Sequence, residues 1–271
     1  MGWTVGRNVQ IVYRWAVGDA ERFRRYAGEL VGLAPDVIVA HGVNAVRQLM
    51  QATHTVPIVF VNTTDPVGNG LIDNLARPGG NVTGFMTMEL SMGVKWLELL
   101  KQIAPSVTRV AVLRDPILGS GLSQFGVIQT VAPLLKVEVH PVGVRDDDEI
   151  ERGINAFVRG SNDGLIVAGS TLGQIHRDRI ITLAAKHRLP AVYPFRFFVT
   201  SGGLISYGPN QTDQYRQAAS YIDRIFNGEK AGNLPVQAPV KYETVLNLKA
   251  AKALGLDIPA TVYARADEVI E

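Results

Sequence analysis

The chain has 271 residues, 46% of them hydrophobic and 19% charged, with a formal net charge of +2 and no cysteine. That length and apolar content suffice for one large domain or two smaller ones, and the near-neutral balance, with no basic run longer than the RFRR of residues 22–25, excludes nucleic acid as the main partner. Without cysteine there is no disulfide, no thiolate catalysis and no cysteine-held metal, and apolar runs such as DGLIVAG fall far short of the ~20 residues that span a bilayer, so no direct membrane insertion is expected.

The opening MGWTVGRNVQ has neither the charged region nor the apolar region of a secretory signal, so no signal peptide is read in it. NVQIVYRW (8–15) has a strand pattern, and DAERFRRYAGELVGL (19–33) follows at helical spacing from an Asp19 cap. DVIVA (36–40) reads as a buried strand, VNAVRQLMQAT (43–53) as a helix opened by the HGVN turn, and PIVFV (57–61) as the next strand. The alternation continues with helix 70–77, strand 81–86, helix 91–104, strand 109–115, helix 122–135 and strand 136–142. Then come helix 147–160, strand 163–169, helix 174–188, strands 190–194 and 203–208, and helix 212–228.

Strands alternating with helices of this length predict βαβ units, hence an α/β fold with parallel sheets covered on both faces. One open sheet of about ten strands is near the upper limit for a twisted sheet, so two sheets of about five are expected. The chain must then cross between two lobes. Two stretches suit a crossing: RPGGNVTGFMT (77–87) and its echo TSGGLISYGPN (200–210), each with a Gly-Gly pair, an extended segment and a further glycine, Gly84 or Gly208. Read as hinges, these glycines would absorb backbone change on opening and closing; read blandly, each stretch is a tight turn with a glycine after a helix.

PIVFVNTTDPVGNGLIDNLARPGGNVTGFM, KWLELLKQIAPSVTRVAVLRDP, FFVTSGGLISYGPN and VKYETVLNLKAAKALGLDIPATVYARADEVIE together resemble the substrate-binding proteins of ABC transporters of the tryptophan/tyrosine-uptake type. The resemblance runs from about residue 1 to the C-terminus. It implies a periplasmic binding protein of type I, two doubly wound parallel-sheet lobes joined by hinge strands and closing on a small ligand. It favours the hinge reading of 77–87 and sets the expected lobes at 1–84 plus 208–238 and 85–207 plus 239–271. It further implies a membrane permease as partner and a periplasmic or lipid-anchored extracellular location. Family members carry a signal sequence, a first strand and a helix ahead of the part matching GWTVGRNVQIVYRWA, so the resemblance implies an incomplete first lobe.

Catalytic patterns are absent: there is no G-x-S-x-G elbow, Walker loop or H-E-x-x-H, and no enzyme is expected. VGNGLID and LGSGLSQ lack the third glycine of a dinucleotide fingerprint and read as turns, so no cofactor is expected. The five histidines lack ligand spacing, and the acidic RDDDEIE (145–151) lacks the spacing and glycine of a calcium loop, reading instead as a helix N-terminus; no metal is expected.

Ligand candidates lie where predicted strands end, since open α/β sheets bind at their carboxyl edges. They are His41 and Asn44 in HGVN; Asn62, Thr63, Thr64 and Asp65 in NTTD; Ser170 and Thr171; Tyr193, Phe195 and Arg196 in YPFR; Ser206 and Tyr207. Asp115 holds a similar position. For an amino acid, Asp65 would face the ammonium, Arg196 or a helix N-terminus the carboxylate, and Tyr193, Phe195 and Tyr207 the apolar end. The leading expectation is a solute-binding component of an ABC importer for an amino acid or related carboxylate. The alternative is the ligand-sensing domain of a regulator, although no helix-turn-helix is present in these residues.

Overall fold

The computed structural model describes residues 2–87, 89, 91–117 and 119–271, the side chains of Gly119 and Ser120 excepted. In chain order its elements begin α1 (Ala20–Gly32), β1 (Ile38–His41), α2 (Gly42–Ala52), β2 (Ile58–Thr63), β3 (Val82–Met86), α3 (Met92–Ile103), β4 (Arg109–Arg114), α4 (Gly119–Val131), β5 (Glu138–Gly143), α5 (Asp147–Phe157) and β6 (Asp163–Val167). They continue α6 (Thr171–Ile175), α7 (Arg177–Lys186), β7 (Ala191–Tyr193), α8 (Arg196–Thr200), β8 (Ile205–Pro209), α9 (Gln211–Phe226), β9 (Tyr242–Asn247), α10 (Leu248–Leu254), α11 (Ala260–Tyr263) and β10 (Glu268–Ile270). The chain divides into two compact units, Met1–Thr87 with Gln211–Ala238 and Met88–Asn210 with Pro239–Glu271.

The first unit holds a parallel sheet in the order β1-β2-β3. Every residue of β2 is buried, as expected of a parallel strand covered on both faces. Alternation sends Val59 and Val61 to one face, where they pack with Phe85 and with Ala218, Tyr221 and Ile225 of α9. Ile58 and Phe60 take the other face and are equally buried. On α1, Asp19 caps as expected, its carboxylate accepting from Arg22 N at 2.9 Å.

Two expected elements of this unit are not formed. Residues 8–15 run without strand pairing apart from an isolated bridge between Val5 and Val9, and Ile11, Val12, Tyr13 and Trp15 are exposed. Strand propensity acts through partners, and among the described residues no strand pairs with residues 10–15. Residues 70–77 form turns instead of a helix. Two local bonds and one distant one fix them: Leu71 N donates to Pro66 O at 2.9 Å, Arg77 N to Asn74 Oδ1 at 2.7 Å, and Leu75 O accepts from Val236 N at 2.7 Å.

The second unit is larger than expected, with a seven-stranded sheet in the order β10-β9-β8-β7-β6-β4-β5. The pairs are parallel except β8 with β9. The second sheet reaches seven strands, rather than about five, because the short extended runs of residues 242–247 and 268–270 add β9 and β10, and the first has three because residues 8–15 add none. Trp96 of α3 is wholly buried and its Nε1–H donates to Tyr207 O at 2.8 Å. At the start of β6, Asp163 pairs with Arg109 at 2.6 Å and also accepts from Arg159 N and Gly160 N, while the guanidinium lies over the Phe157 ring. The acidic RDDDEIE does open a helix: Asp146 accepts from Glu149 N at 2.7 Å, and the Glu149 carboxylate accepts in turn from Arg145 N. LGSGLSQ, expected as a turn, opens α4 from Gly119, its Leu118 lying outside the described residues.

Gly84 and Gly208 lie two to three residues before the points where the chain changes unit. The chain passes between units after residues 87, 210 and 238, whereas Gly84 lies mid-β3 and Gly208 within β8. At Gly84, where φ is 154°, a Cβ would stand 2.1 Å from Phe60 O on the paired strand; at Gly208 it would stand 1.8 Å from Pro194 O. Close backbone approach explains both glycines.

Candidate functional site

At the carboxyl edge of the first sheet, β2 ends in strained backbone. Asn62 has φ 51° and Asp65 φ 46°, the left-handed region that costs a non-glycine residue about 1 kcal/mol or more unless its surroundings hold it there. The holder of Asn62 is far off in sequence: its backbone N–H donates to Gln214 Oε1 at 2.9 Å, in the first turn of α9. The Asn62 amide Nδ2 lies 3.4 Å from His41 Nδ1, which is itself 2.7 Å from the Tyr215 hydroxyl. The His41 and Tyr215 rings lie nearly parallel.

Burial sets the protonation of this cluster. It lowers the His41 pKa, leaving the imidazole neutral at neutral pH, and raises that of Tyr215, against a smaller lowering from the hydrogen bond with Asn62. With both groups neutral, one hydrogen bond joins the Tyr215 hydroxyl and His41 Nδ1, its direction set by the imidazole tautomer. Gln214 and Tyr215 were missed in the sequence. Their only signal there is TDQYRQ at a helix start, which points to this site once α9 is known to pack against β2.

The neighbouring candidates have more local tasks. Asn44 is half-buried in the first turn of α2. Thr63 and Thr64 are buried, and Thr63 O accepts from Thr87 N at 2.9 Å. Asp65 closes a turn, its Oδ1 accepting from Gly68 N at 2.9 Å while Asn69 Nδ2 donates to the carbonyls of Thr64 and Asp65. Four polar atoms of this edge and of α9 are shielded from solvent with no hydrogen-bond partner among the described residues: Asn62 Oδ1, Thr87 Oγ1, Gln211 Nε2 and Gln214 Nε2.

In the second unit the candidates divide differently. Ser170 caps α6, accepting from Gly173 N at 3.0 Å, and Thr171 is the first helical residue. Tyr193 and Phe195, expected against a ligand side chain, belong to the hydrophobic core at 1% and 2% exposure, with Tyr193 stacked on Phe198. Burial holds the Tyr193 phenol well above its ordinary pKa and therefore neutral. Arg196, expected to hold a carboxylate, is engaged with Glu268 at 2.5 Å on an exposed surface. Ser206 is fully buried, and Tyr207 is half-buried with its ring beside Tyr242. Asp115 is buried and accepts from Ile117 N at 2.9 Å. Among the described residues no group of three or more His, Asp or Glu is placed to hold a metal ion, and no helix is long and apolar enough to cross a membrane.

Comparison with known proteins bears on what such a chain binds. The family described as ABC transporter substrate binding protein matches residues 1–270. A "Tyrosine-binding protein" of Clostridioides difficile is 26% identical over 255 residues, covering 94% of this chain and 73% of the relative. A solved domain protein from Vibrio cholerae superposes with a TM-score of 0.91 at 28% identity, covering 99% of this chain and 90% of the other. A Streptococcus pneumoniae ABC domain solved in complex with L-Trp gives a TM-score of 0.85 at 25% identity, covering 93% and 87%.

Proposed function

Since the chain belongs to the ABC transporter substrate binding protein family, we propose that its ligand is an amino acid with an aromatic side chain. It is a substrate-binding protein of an ABC transporter with the α/β, parallel-sheet build of type I periplasmic binding proteins. Members of the family are solute-binding proteins rather than enzymes. The observation that carries the proposal is the L-Trp complex of a relative matching nearly the whole chain, and the tyrosine-binding relative agrees with it. The first unit offers suitable polar chemistry: a neutral His41, a left-handed Asn62, and the buried hydroxyls of Thr63 and Thr64 at one sheet edge. We place the polar end of the ligand there. The partner on this reading is the importer's membrane permease, which places the working protein outside the cytoplasm. The family match favours transport over the ligand-sensing domain of a regulator.

A thermal-shift screen against the standard amino acids, small carboxylates, sugars and purines tests this. A ligand that binds only the native state adds about 2.7 kcal/mol at a hundred times its dissociation constant. Tryptophan or tyrosine should produce the largest rise in melting temperature. A rise with sugars or purines alone would remove the amino-acid assignment.

A further inference from the structure

We propose that Gln214 and Asn62 together read the α-carboxylate and α-ammonium of the ligand, a deepening that rests on the aromatic amino-acid reading above. Gln214 is 4% exposed and Asn62 6%, yet each leaves one side-chain polar atom without a partner among the described residues. Native proteins pair nearly all such groups, so two orphans within one hydrogen-bonded pair of residues ask for a function. The Asn62 N–H donates to Gln214, which obliges Oε1 to face it and leaves Nε2 as the unused donor. The side-chain amide of Asn62 is turned with Nδ2 towards His41 Nδ1, which leaves Oδ1 as the unused acceptor. The left-handed backbone of Asn62 fixes this presentation, and Gln214 fixes the backbone.

The two unused atoms are of opposite kind and are held by one linkage. A donor suits a carboxylate oxygen and an acceptor suits an ammonium N–H, the two groups that every free α-amino acid carries on a single carbon. Neither residue brings a net charge, so the site binds the zwitterion without first having to break an ion pair of its own.

The test uses isothermal titration of the native chain with L-tryptophan, tryptamine, which lacks the carboxylate, and indole-3-propionate, which lacks the ammonium. The native chain should bind L-tryptophan about a hundredfold more tightly than either analogue, because each analogue leaves one buried group unpaired. Gln214→Glu keeps an oxygen for the Asn62 N–H but replaces the unused donor with a second carboxylate oxygen. It should lose about a hundredfold in affinity for L-tryptophan while retaining tryptamine. Asn62→Asp should shift preference towards tryptamine by strengthening the acceptor. Circular dichroism checks that both variants are folded. Q214E binding L-tryptophan within about threefold of native overturns the proposal, as does a native chain that binds either analogue that well, a result needing no variant. A native chain that binds neither tryptophan nor tyrosine overturns the aromatic amino-acid reading first, and this proposal with it.

Discussion

His41 should give the first unit a distinctive response to acid. Burial lowers its pKa in the folded chain below the ordinary value near 6.5. As pH falls through that ordinary value, the unfolded chain takes up a proton that the folded chain resists, so stability declines until the lowered folded value is passed. We expect the melting temperature to drop as the pH falls through and below about 6.5, and His41→Gln to flatten part of that drop. Matching acid slopes for the native chain and the variant would clear His41 of the role. That His41 and Asn62 end adjacent strands was readable from the strand pattern, since HGVN and NTTD each follow a buried apolar run. The partners were not readable. Tyr215 is 174 residues from His41 and Gln214 is 152 from Asn62, and no local pattern encodes a hydrogen bond over that separation. Tyr193 and Phe195 pose the reverse difficulty, because an aromatic at a strand end looks the same in sequence whether it faces a ligand or a core.

Among the elements, β3 and β8 tolerate no side chain at one position each. Gly84→Val would force β2 and β3 apart at the Phe60 carbonyl and should destabilise the chain by about 3 kcal/mol or more. Gly208→Val would meet Pro194 O in the same way. Urea midpoints read both; near-native midpoints would show that the backbone at these positions yields to a side chain. The start of β6 depends on a charge. Asp163 is 2% exposed and accepts from Arg109 and from two backbone N–H groups. Asp163→Ala should therefore cost about 3 kcal/mol by leaving those donors and a largely buried guanidinium unmatched. A midpoint within about 1 kcal/mol of native would mean that water replaces the carboxylate. The caps Asp19 and Asp146 were legible because capping is local chemistry. The turn at 70–77 was not, since its apolar spacing suits a helix and it is the bond from Val236 to Leu75 that helps hold it open.

At the scale of the molecule, the α/β class and the parallel pairing followed from alternating strand and helix periods, whereas the three-and-seven division of strands did not. The short runs of β9 and β10 become strands by pairing beside β8 and each other. Both units are discontinuous: α9 belongs with β1 to β3, and residues 239–271 belong with the sheet that begins at β4. This layout has a consequence for synthesis. A ribosome delivers the chain from its N-terminus at about 5–20 residues per second, so β1, β2 and β3 emerge long before the helix that covers one of their faces. Likewise β8 emerges before β9 exists to pair with it. Nascent chains should therefore need protection from premature association through these uncovered apolar and edge surfaces. Chains arrested with residue 210 just clear of the exit tunnel should be cut by protease in both units, whereas chains extended past residue 271 by a spacer should resist. Protection of the first unit in the shorter chains would show that its sheet folds without α9.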